Sequence, residues 1–150
     1  MISKKEALPL KFSVEDYMDY KSALNLEKLV FDKIHFERLG FKNDNQLNYR
    51  FESHFAKKND EEIYRVTLIY RGNKENEYTM EISLTGFFTF RSENQLSDEI
   101  KKELVNVNAV SILMPYLRSQ ISLVTAQPEM ECVVLPPFNI NNMLQSQDEE

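Results

Sequence analysis

Residues 78–90 read YTMEISLTGFFTF, and that alternation leaves the chain little choice. Tyr78, Met80, Ile82, Leu84, Phe88 and Phe90 fall on one side of an extended backbone; Thr79, Glu81, Ser83 and Thr85 fall on the other. Successive strand side chains point to opposite faces, so the segment predicts a strand with one face buried and one polar. Three earlier segments follow the same rule. LVFDKIHFERLGF (29–41) is a mixed strand with Ile34 and Phe36 together. LNYRFESHF (47–55) sets Leu47, Tyr49, Phe51 and Phe55 against Asn48, Arg50, Glu52 and His54. IYRVTLIY (63–70) groups Tyr64, Val66, Leu68 and Tyr70. One-sided burial of this kind belongs to an antiparallel sheet. RGNKENE (71–77) supplies turn residues that make the last two strands a hairpin. Gly86 interrupts the fourth strand and marks either a bulge or a close backbone approach. The FFTF run places Phe87 opposite Phe88 and Phe90, so the polar face of the sheet is expected to meet something besides its own helices.

Helical spacing flanks the strands. In SVEDYMDYKSALNLEKL (13–29), Ser13 is a candidate N-cap, Glu15 and Asp16 occupy the first turn, and Tyr17, Tyr20 and Leu24 share a face. Residues 1–12 read as a mobile arm. Ser97 caps a second helical segment, with Asp98 and Glu99 after it and an Ile100, Leu104, Val107 stripe. Leu113, Leu117, Ile121 and Val124 form another stripe, joined by Ile112 and Tyr116. Pro115 lies inside that stripe. It is best tolerated in the first turn of a separate helix, with Ser111 or Asn108 as cap; the alternative is one long helix kinked there. QPEMECVVLPPF (127–138) is an extended, proline-punctuated loop, and NINNMLQSQDEE a short helix or acidic tail. Helix, four strands, then helices predicts an α+β fold. The 150 residues form one domain, with an N-terminal arm and helix over 1–27, a core over 28–144 and an acidic tail over 145–150.

The inventory of chemical groups is thin. A net charge of −6 argues against nucleic acid as a partner, because phosphate neutralisation needs a basic surface. No run of 18 apolar residues offers a membrane span. The start, MISKKEALPLKF, lacks the apolar core of a secretion signal. One cysteine, Cys132, cannot form an internal disulfide and suits a reducing cytoplasm. Three glycines leave few backbone loops to cradle phosphates, and no cofactor motif is present. His35, His54 and Cys132 would have to converge with a third group to bind metal or attack a substrate. The sequence therefore predicts no enzyme and no cofactor.

Aromatic excess remains: ten phenylalanines and seven tyrosines in a chain without tryptophan. Tyr49, Phe51, Phe55, Phe87, Phe88, Phe90 and Phe138 exceed what four strands and two helices comfortably hide. They serve either a packed core with an oligomer interface, or a groove for apolar segments of other proteins.

The order of parts resembles the SecB family of export chaperones. NAVSILMPYLRSQISLV (108–124) is similar to the family's Asn-(Ile/Leu)-Leu-(Phe/Tyr)-Pro-Tyr-(Ala)-Arg-(Glu) pattern, with Ile112, Leu113, Pro115, Tyr116 and Arg118 in register. PEMECVVLPPFNINNML (128–144) resembles the Pro-x-Leu-x-Leu-x-Pro-(Val)-(Asn/Asp)-Phe stretch through Val134, Pro136 and Phe138. KLVFDKIHFE (28–37) resembles the first strand through Ile34, Phe36 and Glu37, and TGFFTF (85–90) the end of the fourth. The family's Lys-Asp is reversed here to Asp32-Lys33.

The resemblance implies a four-stranded antiparallel sheet packed by a long C-terminal helix. It also implies a homotetramer, built as a dimer of dimers with the helices between sheets. Leu113, Tyr116, Leu117, Ile121 and Val124 would form the oligomer interface. Leu47, Tyr49, Phe51, Val134 and Phe138 would line a client groove, with Met143 and Leu144 in the helix that follows. Glu37 would keep one acid of the site that docks the SecA motor. The function implied is a cytoplasmic, ATP-independent holdase for unfolded or precursor polypeptides, in protein export. The alternative is a SecB-like adaptor for one specific partner, such as an antitoxin.

Overall fold

The computed structural model describes residues 24–58, 61–91 and 97–140. Four strands, β1 (Leu24–Arg38), β2 (Leu47–Lys57), β3 (Tyr64–Lys74) and β4 (Tyr78–Phe90), form one antiparallel sheet in the order β1-β4-β3-β2. One helix, α1 (Asp98–Thr125), follows. The two strands with the strictest alternation, β3 and β4, take the centre of the sheet, where only a fully apolar face can be sealed. Their inner residues Val66, Leu68, Tyr70, Met80, Ile82, Leu84 and Phe88 are buried.

β1 corrects the C-terminal end of the expected 13–29 helix. Residues 13–23 lie outside the described residues, but Leu24–Leu29 are strand, paired with β4 from Leu24↔Phe90 onward. Extra residues at Glu27 and Asp32 shift the register twice. Inward-facing pairs therefore fall at Leu24 and Leu26, Leu29 and Phe31, Ile34 and Phe36. That five-residue repeat averages 2.5, between the strand and helix periods, so the alternation is lost from the sequence although the face is not. Both bulge carboxylates turn to the outer face. Glu27 accepts from Thr89 Oγ1 at 2.6 Å, and Asp32 accepts from Thr85 Oγ1.

The β3–β4 turn is tighter than the sequence suggests. β3 runs to Lys74, the Glu77 amide donates to the Lys74 carbonyl at 3.0 Å, and Asn76 takes the left-handed φ of 62° that asparagine tolerates.

The helical stretch also differs from expectation. Ser97 caps α1 as predicted, accepting from the Ile100 amide at 3.4 Å, but the helix runs unbroken for 28 residues. Pro115 stands inside it rather than at a helix start. The ring is tolerated because it lies exposed on the side away from the sheet. α1 lies over β4, β3 and β1. Gly86 permits that approach: a Cβ there would stand 2.8 Å from Leu113 Cδ2 and 2.7 Å from Phe88 Cε2.

Candidate functional site

Because α1 lies over β1, β4 and β3, the inner face of edge strand β2 is left to its own aromatics. Tyr49 and Phe51 project there, two residues apart, with ring centroids 5.9 Å apart. Both pack on Tyr70 of β3, at 6.0 and 5.5 Å. Phe138, arriving from the chain after α1, meets Phe51 at 5.3 Å and Tyr49 at 6.3 Å, both edge-on. Tyr49 remains 39% exposed above a Tyr70 that is fully buried. Gly72 makes room for that floor, since a Cβ there would lie 2.6 Å from the Tyr70 hydroxyl. Burial, then the nearby Tyr78 and Tyr49, raises the Tyr70 phenol far above its ordinary value, and its hydroxyl has no hydrogen-bond partner among the described residues.

The far wall is a strap. Residues 131–138 run extended along α1, tied by three side chains at helical spacing: Arg118, Ser122 and Thr125. Arg118 Nη2 and Nε donate to the Leu135 carbonyl at 2.7 and 3.2 Å. Ser122 Oγ donates to the Val133 carbonyl at 2.7 Å, and Thr125 Oγ1 accepts from the Val133 amide at 2.8 Å. Leu135 is thereby buried and Phe138 turned to the sheet, while Val134 stays 76% exposed. A cavity of about 410 Å³, walled by Leu47, Tyr78, Val133 and Val134, lies at the Leu47 end of this trough. A wider cleft of about 660 Å³ opens beyond Val134, against Pro115, Arg118, Ser119 and Leu123 of the helix.

A buried ion pair holds the end of the trough. Glu77 Oε1 accepts from Lys74 Nζ at 2.9 Å and from the Asn43 amide at 2.7 Å. Burial pushes the Glu77 carboxyl up, but the Asn43 amide and Lys74 more than offset it, leaving it below its ordinary value. Lys74 Nζ also donates to the Asn43 carbonyl at 2.8 Å, so the 39–46 loop is sewn to the β3–β4 turn.

Of the sequence-predicted groove residues, the structure thus gathers Leu47, Tyr49, Phe51, Val134 and Phe138 along one trough. Met143 and Leu144 lie outside the described residues. The proposed oligomer stripe needs correction. Leu113, Leu117 and Ile121 have no exposed surface; they fill the chain's own core against the sheet and cannot reach a partner. Tyr116 is 48% exposed, Val124 half-buried, and Leu123, not singled out from sequence, is 68% exposed. Arg118, Ser122 and Thr125 were also missed as strap-holders, although a polar i, i+4, i+7 row beside an apolar stripe was there to read.

The outer face carries a charge ladder across all four strands, from His54 through Glu52, Arg71 and Glu81 to Lys33. The reversed Asp32-Lys33 pair is satisfied within it: Lys33 meets Glu81 at 3.4 Å and Asp32 the hydroxyl of Thr85. Glu37 is exposed on this face, 4.0 Å from His35. His35 and His54 sit on opposite edge strands, and Cys132 on the strap, so the three do not converge.

A comparison with protein families decides the kinship: the model described as preprotein translocase subunit SecB matches residues 24–150. The chain belongs to the SecB family. Its matched region begins at Leu24, where β1 begins. Among solved structures, this SecB-family chain is similar to the Mycobacterium tuberculosis Rv1957 SecB-like chaperone, in complex with a ChAD peptide from the Rv1956 HigA1 antitoxin. That likeness has a TM-score of 0.65 at 10% identity, over 78% of this chain and 88% of the other, and it establishes the shared SecB fold. Among curated proteins, the uncharacterized protein MJ0357 of Methanocaldococcus jannaschii is 33% identical over 70 residues, which are 47% of this chain and 43% of that protein.

Proposed function

We propose that this SecB-family chain is an ATP-independent holdase, which keeps unfolded or precursor polypeptides from aggregating by burying their apolar segments in the trough between β2 and the strap. The observation that carries this reading is the convergence of Tyr49, Phe51 and Phe138, from two distant parts of the chain, over a buried Tyr70. Client side chains would gain roughly 25 cal/mol per Å² of apolar surface removed from water. Shallow subsites at Leu47, Tyr49, Phe51, Val134 and Phe138 would each bind weakly and together bind well. The site is in this reading cytoplasmic, and the working form a dimer of dimers. Its helix interface uses the outward residues Tyr116 and Leu123, with the half-buried Val124 at their edge, in place of the buried stripe.

The second reading is an adaptor for one partner, such as an antitoxin, without an export role. The likeness to a SecB-like chaperone seen with an antitoxin peptide favours it, as does Lys33, a cation on the same strand and outer face as Glu37, where SecA would dock.

Light scattering of a chemically denatured client diluted into buffer tests the proposal. The intact chain should suppress aggregation without nucleotide, and Tyr49→Ser with Phe51→Ser should abolish suppression while oligomer mass is unchanged. Suppression that survives the double variant would remove the trough from consideration. Failure to suppress any denatured client, alongside tight binding to one peptide, would select the adaptor.

A further inference from the structure

The outer face of the sheet holds an aromatic that the trough does not use. Phe87 is half-buried there, and strand pairing sets a cation on each side of it: Lys28 of β1 and Arg65 of β3 are both its cross-strand partners. Lys28 Nζ stands 5.9 Å from the Phe87 ring centroid. Beside them lies a cavity of about 250 Å³ lined by Phe87, Arg65, Ala56, Ile63, Lys57 and Lys58.

The charges of this face are unevenly matched. Glu27 and Asp32 are held by threonine hydroxyls, Glu52 by Arg71, and Glu81 by Lys33 and Arg71. Lys57 and Lys58 have their own acids in Glu62 and Glu61, at 3.8 and 3.5 Å. Lys28 and Arg65 have no carboxylate among the described residues, in a chain whose net charge is −6. Among the described residues, two cations without an ion pair thus flank an aromatic and a pocket, an island of excess positive charge in which Glu27, next to Lys28 in the chain, is held only by a hydroxyl.

We propose that this island is a second docking surface, separate from the trough, for an acidic polypeptide segment bearing an apolar side chain. The apolar side chain enters the pocket beside Phe87, and carboxylates on either side of it meet Lys28 and Arg65. Opposite charge across a rim of this kind selects the partner and speeds its encounter. Both cations are exposed and far from the core, so they can be altered without touching the packing.

Fluorescence anisotropy with the full chain tests it, using a labelled synthetic peptide of alternating glutamate and leucine and a control in which lysine replaces glutamate. The acidic peptide should bind and the basic one should not. Lys28→Glu with Arg65→Glu should weaken binding at least about tenfold, and Phe87→Ser several-fold. Tyr49→Ser with Phe51→Ser should leave it unchanged, which separates this surface from the holdase reading. Should the charge reversal impair folding, Lys28→Gln with Arg65→Gln reads the same loss. Equal binding of the two peptides, indifference to the Lys28 and Arg65 changes, loss through the trough variant, or equally tight binding of a DNA oligonucleotide would each overturn the proposal.

Discussion

Arg118 grips the carbonyl of Leu135 with two nitrogens, at 2.7 and 3.2 Å, across seventeen residues of chain. Hydrogen bonds from charged groups contribute about 1.5–3 kcal/mol, and this one fixes the wall that carries Phe138. Arg118→Ala should lower stability to urea by about 1–3 kcal/mol and speed proteolytic cleavage within 127–138. Arg118→Lys, with a point charge in place of a fork, should recover less than half of the loss. A strap equally resistant to protease in the alanine variant would mean that apolar packing of Leu135 alone holds it.

Gly86 and Leu113 share one space between sheet and helix. Gly86→Ala should cost about 1–3 kcal/mol by overpacking, and Leu113→Ala about 2–5 kcal/mol by leaving a cavity. Because each relieves part of what the other does, the double variant should lose clearly less than the sum of the two. Additive losses in denaturant melts would show that the sheet and helix do not meet there.

Pro115 withholds one amide donor from the turn above Ser111, in the middle of α1. Proline within a helix is about 3 kcal/mol less favourable than alanine. Its exposed position means that Pro115→Ala creates no cavity. The substitution should raise the midpoint of urea unfolding. A lowered midpoint would show that α1 needs the proline's bend to fit the sheet.

The pH dependence follows from Glu77, whose carboxyl lies below its ordinary value of 4.5 in the folded chain. A depressed carboxylate contributes stability in full above its unfolded value, and loses it as pH falls through the folded one. Stability should therefore be flat from pH 7 to about 5 and decline below about 4.5. Glu77→Gln should be less stable at pH 7 and show a shallower decline in acid, because the unpaired Lys74 stays buried in both ranges. An identical acid limb in the two proteins would assign the decline to other carboxylates.

Period-two patterning made β2, β3 and β4 legible, and with them the side of the sheet that bears Tyr49 and Phe51. It failed at Leu24–Leu29, where bulges spend residues without changing faces, so the inward side chains arrive at intervals of two and three in turn. Helical spacing marks Leu113, Leu117 and Ile121 as a covered face but does not say by what, and here the chain's own sheet covers them. Pro115 defeated the expected helix boundary for a local reason: a missing donor on the outer side of a helix is far less costly than one facing the core. Phe138 joined the groove through a tie that only tertiary structure reveals, since the acceptor on the strap is a main-chain carbonyl and has no letter in the sequence.

The bulges in β1 also determine where this protein can change length. Removing a residue from the middle of a regular strand reverses the orientation of everything beyond it. Removing Glu27 or Asp32 instead leaves the inward set of Leu24, Leu26, Leu29, Phe31, Ile34 and Phe36 on its own side, at the cost of one side-chain tie to β4. β1 thus has two positions at which a codon can be lost without inverting the strand.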